Sequence, residues 1–171
     1  MSQAALTLYL ADGVVVLFAA MGTLSSFFEA RRQIVRRSRL LAPGVCAFIA
    51  AMISITYPNP REFFQAQLLM VALLSLLAGV ARGITLYLFA DQKWDLVRLR
   101  RTWDGAVLAC LVMVVGAFDL AVEIRAGAET HLAPIVELIM IVLSAYLLGR
   151  SVTAWLRAGL LPHEDLHEKI L

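Results

Sequence analysis

The sequence predicts an all-α polytopic membrane protein, a bundle of five transmembrane helices with short loops, and three observations carry that expectation. The chain is 61% hydrophobic with a mean hydropathy of +0.80, where a soluble domain is about half apolar. The apolar residues are gathered into five long blocks, the sign of membrane spans and not of one soluble core. The charges fall mostly between the blocks, in short loops. A length of 171 residues suits one bundle, so residues 1–171 are read as a single transmembrane domain.

The first segment, residues 4–28, is long enough to cross a hydrocarbon core of roughly 30 Å with tilt. It lacks a basic leader and Asp12 interrupts it, so it is read as a retained helix and not as a signal peptide. Ala19, Ala20 and Gly22 allow a neighbouring helix to come close. The loop that follows, residues 29–39, holds Arg31, Arg32, Arg36, Arg37 and Arg39. Such a cluster marks the cytoplasmic side. It also suits anionic lipid headgroups or an acidic partner.

The second segment, residues 40–57, carries no charge and has Pro43 in its first turn, where proline is tolerated. A Tyr57-Pro58-Asn59-Pro60 turn follows, so the second and third segments are antiparallel neighbours. The third segment, residues 63–90, contains Gly79 and Gly83 in GxxxG spacing. Two glycines on one helix face let another backbone approach, and packing within the bundle is favoured over a dedicated dimer contact. Arg82, near the far end, is placed to snorkel. Residues 91–104 mix Lys93, Arg98, Arg100 and Arg101 with three aspartates and read as a helix extension plus a turn, or as a surface segment carrying Trp94 and Trp103.

The fourth and fifth segments, residues 105–124 and 132–156, enclose an outer hairpin, and a polar tail of residues 158–171 follows. With five crossings, thirteen basic residues and seven acidic ones fall on the side of the first and third loops and the C-terminus. Only Arg61 and Arg125 face six acids on the other side. The asymmetry predicts an N-terminus outside and a C-terminus in the cytoplasm. Thirteen of the fifteen basic residues are arginine, a bias that points to a GC-rich bacterial genome and hence to a bacterial inner membrane.

Charge inside a span is costly and is a functional candidate by default. Asp119 and Glu137 lie roughly 8 Å, and Asp12 roughly 12 Å, below the outer helix ends. Glu123 shares a face with Asp119, and His131 lies in the loop above. Three readings stand: a shared outer-half polar site for a cation or protons, a divalent metal held by His131 with Asp119, Glu123 and Glu137, or acids tolerated separately. No metal-ligand signature is present, and no catalytic motif of any known spacing. The two cysteines, Cys46 and Cys110, sit within apolar segments and suggest no disulfide framework. The tail histidines, His163 and His167, read as part of a solvated segment.

The chain is therefore expected to be a non-enzymatic accessory, assembly or structural subunit of a membrane complex, without a cofactor. Its expected partners are the bilayer, anionic headgroups at the cytoplasmic face, and other membrane subunits or copies of itself, and not nucleic acid. The competing expectation is a proton- or cation-coupled transporter or channel component that uses Asp12, Asp119 and Glu137.

Overall fold

The fifth helix is the element against which the others are assembled. In the computed structural model, which describes residues 3–32, 34–56, 65–100, 102–126 and 133–163, the helices are α1 (Gln3–Arg32), α2 (Ala42–Thr56), α3 (Gln65–Thr85), α4 (Asp104–Ala126) and α5 (Ala133–Leu160). A 3₁₀ turn, Arg37–Leu41, leads into α2, and three short strands, β1 (Ile34–Arg36), β2 (Leu88–Asp91) and β3 (Leu96–Leu99), complete the described elements. Among the described residues, five helices are long and apolar enough to cross a membrane.

Helix α5 packs against α2, α3, α4 and the sheet, while α1 packs against α2 and α4. The core of the spanning region is built from small and medium side chains, among them Val15, Ala19, Ala47, Ala50, Ala109, Val112, Met140 and Leu147. Small residues suit a lipid environment, where helices associate through close packing because lipid tails are as apolar as leucine. The closest approach is between α3 and α5. A Cβ on Gly79 would fall on the Tyr146 carbonyl, and one on Gly83 would lie 2.6 Å from Thr153 Cβ. A Cβ on Gly149 would in turn fall on the Leu76 carbonyl of α3. Gly79 and Gly83 thus lie against another helix of the same chain.

The largest departure from expectation is at the end that carries the arginines. The third segment does not run to residue 90. It stops at Thr85, and residues 88–99 form a hairpin to which β1 adds, giving an antiparallel sheet of order β1-β3-β2. Val97 pairs with both Ala90 and Val35. The physical reason is period-two burial. Leu86, Leu88, Ala90, Val97 and Leu99 are buried together with Val35 and Leu40 against Ala154 and Ala158 of α5, while Tyr87 and Phe89 point outward. The carbonyls that α3 leaves unsatisfied are capped from α5, where Arg157 donates to Gly83 O at 2.8 Å and Leu86 O at 2.9 Å. Asp91 shapes the hairpin turn by accepting the backbone N–H groups of Lys93 and Trp94. Asp95 closes it at φ 52°, a left-handed conformation that aspartate tolerates.

Other boundaries shift less. Helix α1 continues to Arg32, so Glu29, Arg31 and Arg32 are helical and not in a loop. Helix α5 runs to Leu160, past the expected end at 156. Beyond it, His163 bridges to Ala90 and its Nδ1 lies 3.6 Å from Asp91.

Candidate functional site

The charged residues within the spans separate into two groups at opposite ends of the bundle. At the sheet end, Arg150 of α5 is only 2% exposed. Its Nη2 donates to Glu29 Oε1 of α1 at 3.2 Å, and its Nε lies 3.6 Å from Asp104 Oδ2 at the start of α4. The same Asp104 oxygen accepts a 2.8 Å hydrogen bond from Arg82 Nε of α3. Four side chains from four helices thus form one alternating chain, Glu29–Arg150–Asp104–Arg82. Buried charges persist where they are paired in this way.

Local sequence permits the arrangement. Gly105 leaves room for the guanidinium, since a Cβ there would stand 2.9 Å from Arg150 Nη1. Phe27 and Trp103 stack edge to face beside the cluster, with ring centroids 5.8 Å apart. Hydrogen bonding inside the cluster is incomplete. Among the described residues Asp104 Oδ1, Arg150 Nε, Ser26 Oγ and Ser151 Oγ are buried without a hydrogen-bond partner.

At the other end, Asp12 and Asp119 are both half-buried and lie within electrostatic reach of each other. The geometry follows from the α1–α4 contact, where Gly116 of α4 faces Val15 and Val16 of α1. Asp12 Oδ2 is buried without a hydrogen-bond partner among the described residues. Glu137, half-buried on α5, follows Val136, which belongs to the same apolar cluster as Val15. The side chain of Glu123 and the whole of His131 lie outside the described residues. Asp12 and Asp119, from different helices, are thus within electrostatic reach of each other among the described residues. No group of three metal-ligating side chains occurs among the described residues.

The arginines of the first loop do not behave alike. Arg31, Arg32, Arg36 and Arg39 are exposed, with Arg32 lying over the Phe28 ring at 5.5 Å. Arg37 is half-buried, stacks on Trp155 at 4.6 Å and donates from Nε to Trp155 O. Between the bundle ends, the Thr23 hydroxyl lies 2.8 Å from Ala19 O and 2.9 Å from Ala109 O of α4, and its one proton serves one of them at a time.

Block hydropathy does not reveal the paired cluster at the sheet end, because Glu29 and Asp104 fall in the segments between apolar blocks and Arg82 near a helix end. A signal existed. Arg150 precedes Arg157 by two helical turns of mostly apolar residues, LLGRSVTAWLR, which places it inside the span. An arginine at that depth requires an acid, and Glu29 ends a continuous apolar block. No protein-family model matches the chain, and neither a curated protein nor a solved structure matches it.

Proposed function

We propose that the chain is a non-enzymatic subunit of a membrane complex, with a role in assembly or architecture, in a bacterial inner membrane. We place the N-terminus outside and the sheet end in the cytoplasm, where Arg31, Arg32, Arg36 and Arg39 contact anionic headgroups. The observation that carries the reading is the position of α3. It joins the bundle almost wholly through α5, and only 11% of its spanning window is buried against 44% for α5. Its outward residues Leu69, Met70, Leu73, Leu74, Leu77 and Ile84 are more than half exposed. A helix held along a single seam leaves a broad flank for helices of another chain.

The test is extraction in mild detergent followed by native mass spectrometry, with a photo-crosslinking side chain at Leu73 or Leu74. The expected result is a defined heteromeric or homomeric complex with crosslinks from both positions. A chain that is monomeric under these conditions and crosslinks only to lipid overturns the proposal. A second reading, proton or cation coupling, draws support from the Asp12–Asp119 approach. Under the first reading Asp12→Asn and Asp119→Asn leave proton and cation flux in proteoliposomes unchanged. A flux that the native chain supports and both variants abolish favours the second.

A further inference from the structure

A cavity of about 300 Å³ lies where the β2–β3 turn meets the end of α5. That volume is at the lower bound of small-ligand sites. Its lining includes Arg37, Asp91, Asp95 and Gly159. Arg37 is held there from three directions. Its Nε donates to Trp155 O at 3.2 Å, and its guanidinium stacks on the Trp155 ring at 4.6 Å. On the Gly159 side, an added Cβ would stand 2.7 Å from Arg37 Cζ, so the bare Cα leaves the space that the group occupies. With Nε engaged, what Arg37 offers the cavity is its pair of terminal amino groups, which have no hydrogen-bond or ion-pair partner among the described residues. A fixed guanidinium edge matches the oxygens of a phosphate.

The opposite charge is held beside it. Asp95 is exposed and lines the same cavity, and its carbonyl accepts the Arg37 backbone N–H at 3.0 Å. Arg37 and Asp95 are therefore fixed next to each other, yet their side chains form no ion pair. Asp91 is committed differently, to the turn amides of Lys93 and Trp94. The depth is that of lipid headgroups, because the α5 span ends at Leu160 and Trp155 is an interfacial residue type. A site with one cation and one anion that do not satisfy each other fits a zwitterion better than a simple anion.

We infer that this cavity binds a phosphoethanolamine group, with the phosphate on Arg37 and the ammonium toward Asp95. The chemistry is shared by a phosphatidylethanolamine headgroup and by a water-soluble phosphoethanolamine ester. The site stands independently of the subunit role proposed above.

The test uses the full chain in maltoside micelles with Trp94→Phe and Trp103→Phe, so that Trp155 alone reports. The probes are dihexanoyl phosphatidylethanolamine, dihexanoyl phosphatidylglycerol, glycerophosphoethanolamine and inorganic phosphate. Saturable change is expected with the ethanolamine lipid, and Arg37→Gln raises its Kd about tenfold or more. Gly159→Ala, which displaces the guanidinium and leaves its charge, gives a comparable loss. Asp95→Asn removes an exposed, unpaired carboxylate and so tests the site without risk to the fold. It is expected to erase the preference for the ethanolamine lipid over the glycerol lipid. Glycerophosphoethanolamine binding as tightly as the lipid assigns the soluble source, and binding by the lipid alone assigns the membrane source. Equal affinity for the glycerol lipid or for inorganic phosphate in the native chain overturns the proposal. So does an Asp95→Asn variant with unchanged selectivity.

Discussion

Glu29→Ala is the substitution that most directly tests how the sheet end is held together. Glu29 provides the shorter of the two carboxylate contacts to Arg150, at 3.2 Å against 3.6 Å for Asp104, and Arg150 is 2% exposed. Removing one partner of a buried pair costs about 3–5 kcal/mol, because the other charge stays buried. Two features move the expectation to the lower end, about 3 kcal/mol. The 3.2 Å contact is longer than the best charge-assisted bonds, which lie near 2.7–2.9 Å. Asp104 also continues to compensate Arg150, although Arg82 shares its Oδ2 oxygen. The assay is equilibrium unfolding in mixed micelles by titration with a denaturing detergent. The double variant Glu29→Leu, Arg150→Leu is the control, since replacing a buried pair by apolar groups is often neutral or stabilising. A Glu29→Ala loss below about 1 kcal/mol, the range of exposed pairs, refutes the reasoning. So does a double variant as unstable as the single one.

Three further outcomes are expected. Gly149→Ala places a methyl on the Leu76 carbonyl of α3 and costs about 1–3 kcal/mol as an overpacked contact, read in the same unfolding assay and as loss of an engineered α3–α5 disulfide. Arg157→Leu leaves Gly83 O and Leu86 O without their donor. It costs about 2 kcal/mol, and amide exchange should rise through residues 86–91, measured by mass spectrometry; unchanged exchange there sinks the capping argument. A green fluorescent protein fused after Leu171 is expected to fluoresce in a bacterial host, and alkaline phosphatase at the same point to be inactive; the reverse pair inverts the orientation.

Helix number and rough position could be read from the sequence because both depend on block hydropathy, which neighbouring segments hardly alter. The end of α3 could not, because residues 84–90, ITLYLFA, are hydrophobic at every position but Thr85. A helix in lipid and a strand packed on one face look alike in such a run. The alternation in Val97-Arg98-Leu99-Arg100 was the better clue, with Val97 and Leu99 buried and Arg100 exposed. It was lost because the surrounding charges suggested a loop. Gly79 and Gly83 lie against α5, and spacing alone did not say that α5 would be the neighbour. Among the acids, Asp12 and Asp119 have similar expected depths, and the α1–α4 packing beside Gly116 puts them within electrostatic reach. Nothing in spacing distinguishes that pair from Glu137.

The two bundle ends use charge in opposite ways, and the difference bears on where the molecule is free to act. At the sheet end, each buried charge is next to one of opposite sign, and the chain ties α1, α3, α4 and α5 together. Helix α3 needs that tie. It is held along one seam of glycines, and Arg82 to Asp104 and Arg157 to its last carbonyls are its polar anchors at that end. At the other end Asp12 and Asp119 are both acids, so the two offer each other no such opposite-sign pairing. There α1 meets α4 where Val15 and Val16 face Gly116, 3.5 Å and 4.0 Å from an added Cβ, a wider approach than at the α3–α5 seam. Paired charges thus tie helices together at the arginine-rich end, next to the Arg37 cavity, and the Asp12–Asp119 approach belongs to the acidic end. Partner helices along α3 would be oriented from the first, whereas any role for Asp12 and Asp119 belongs to the second.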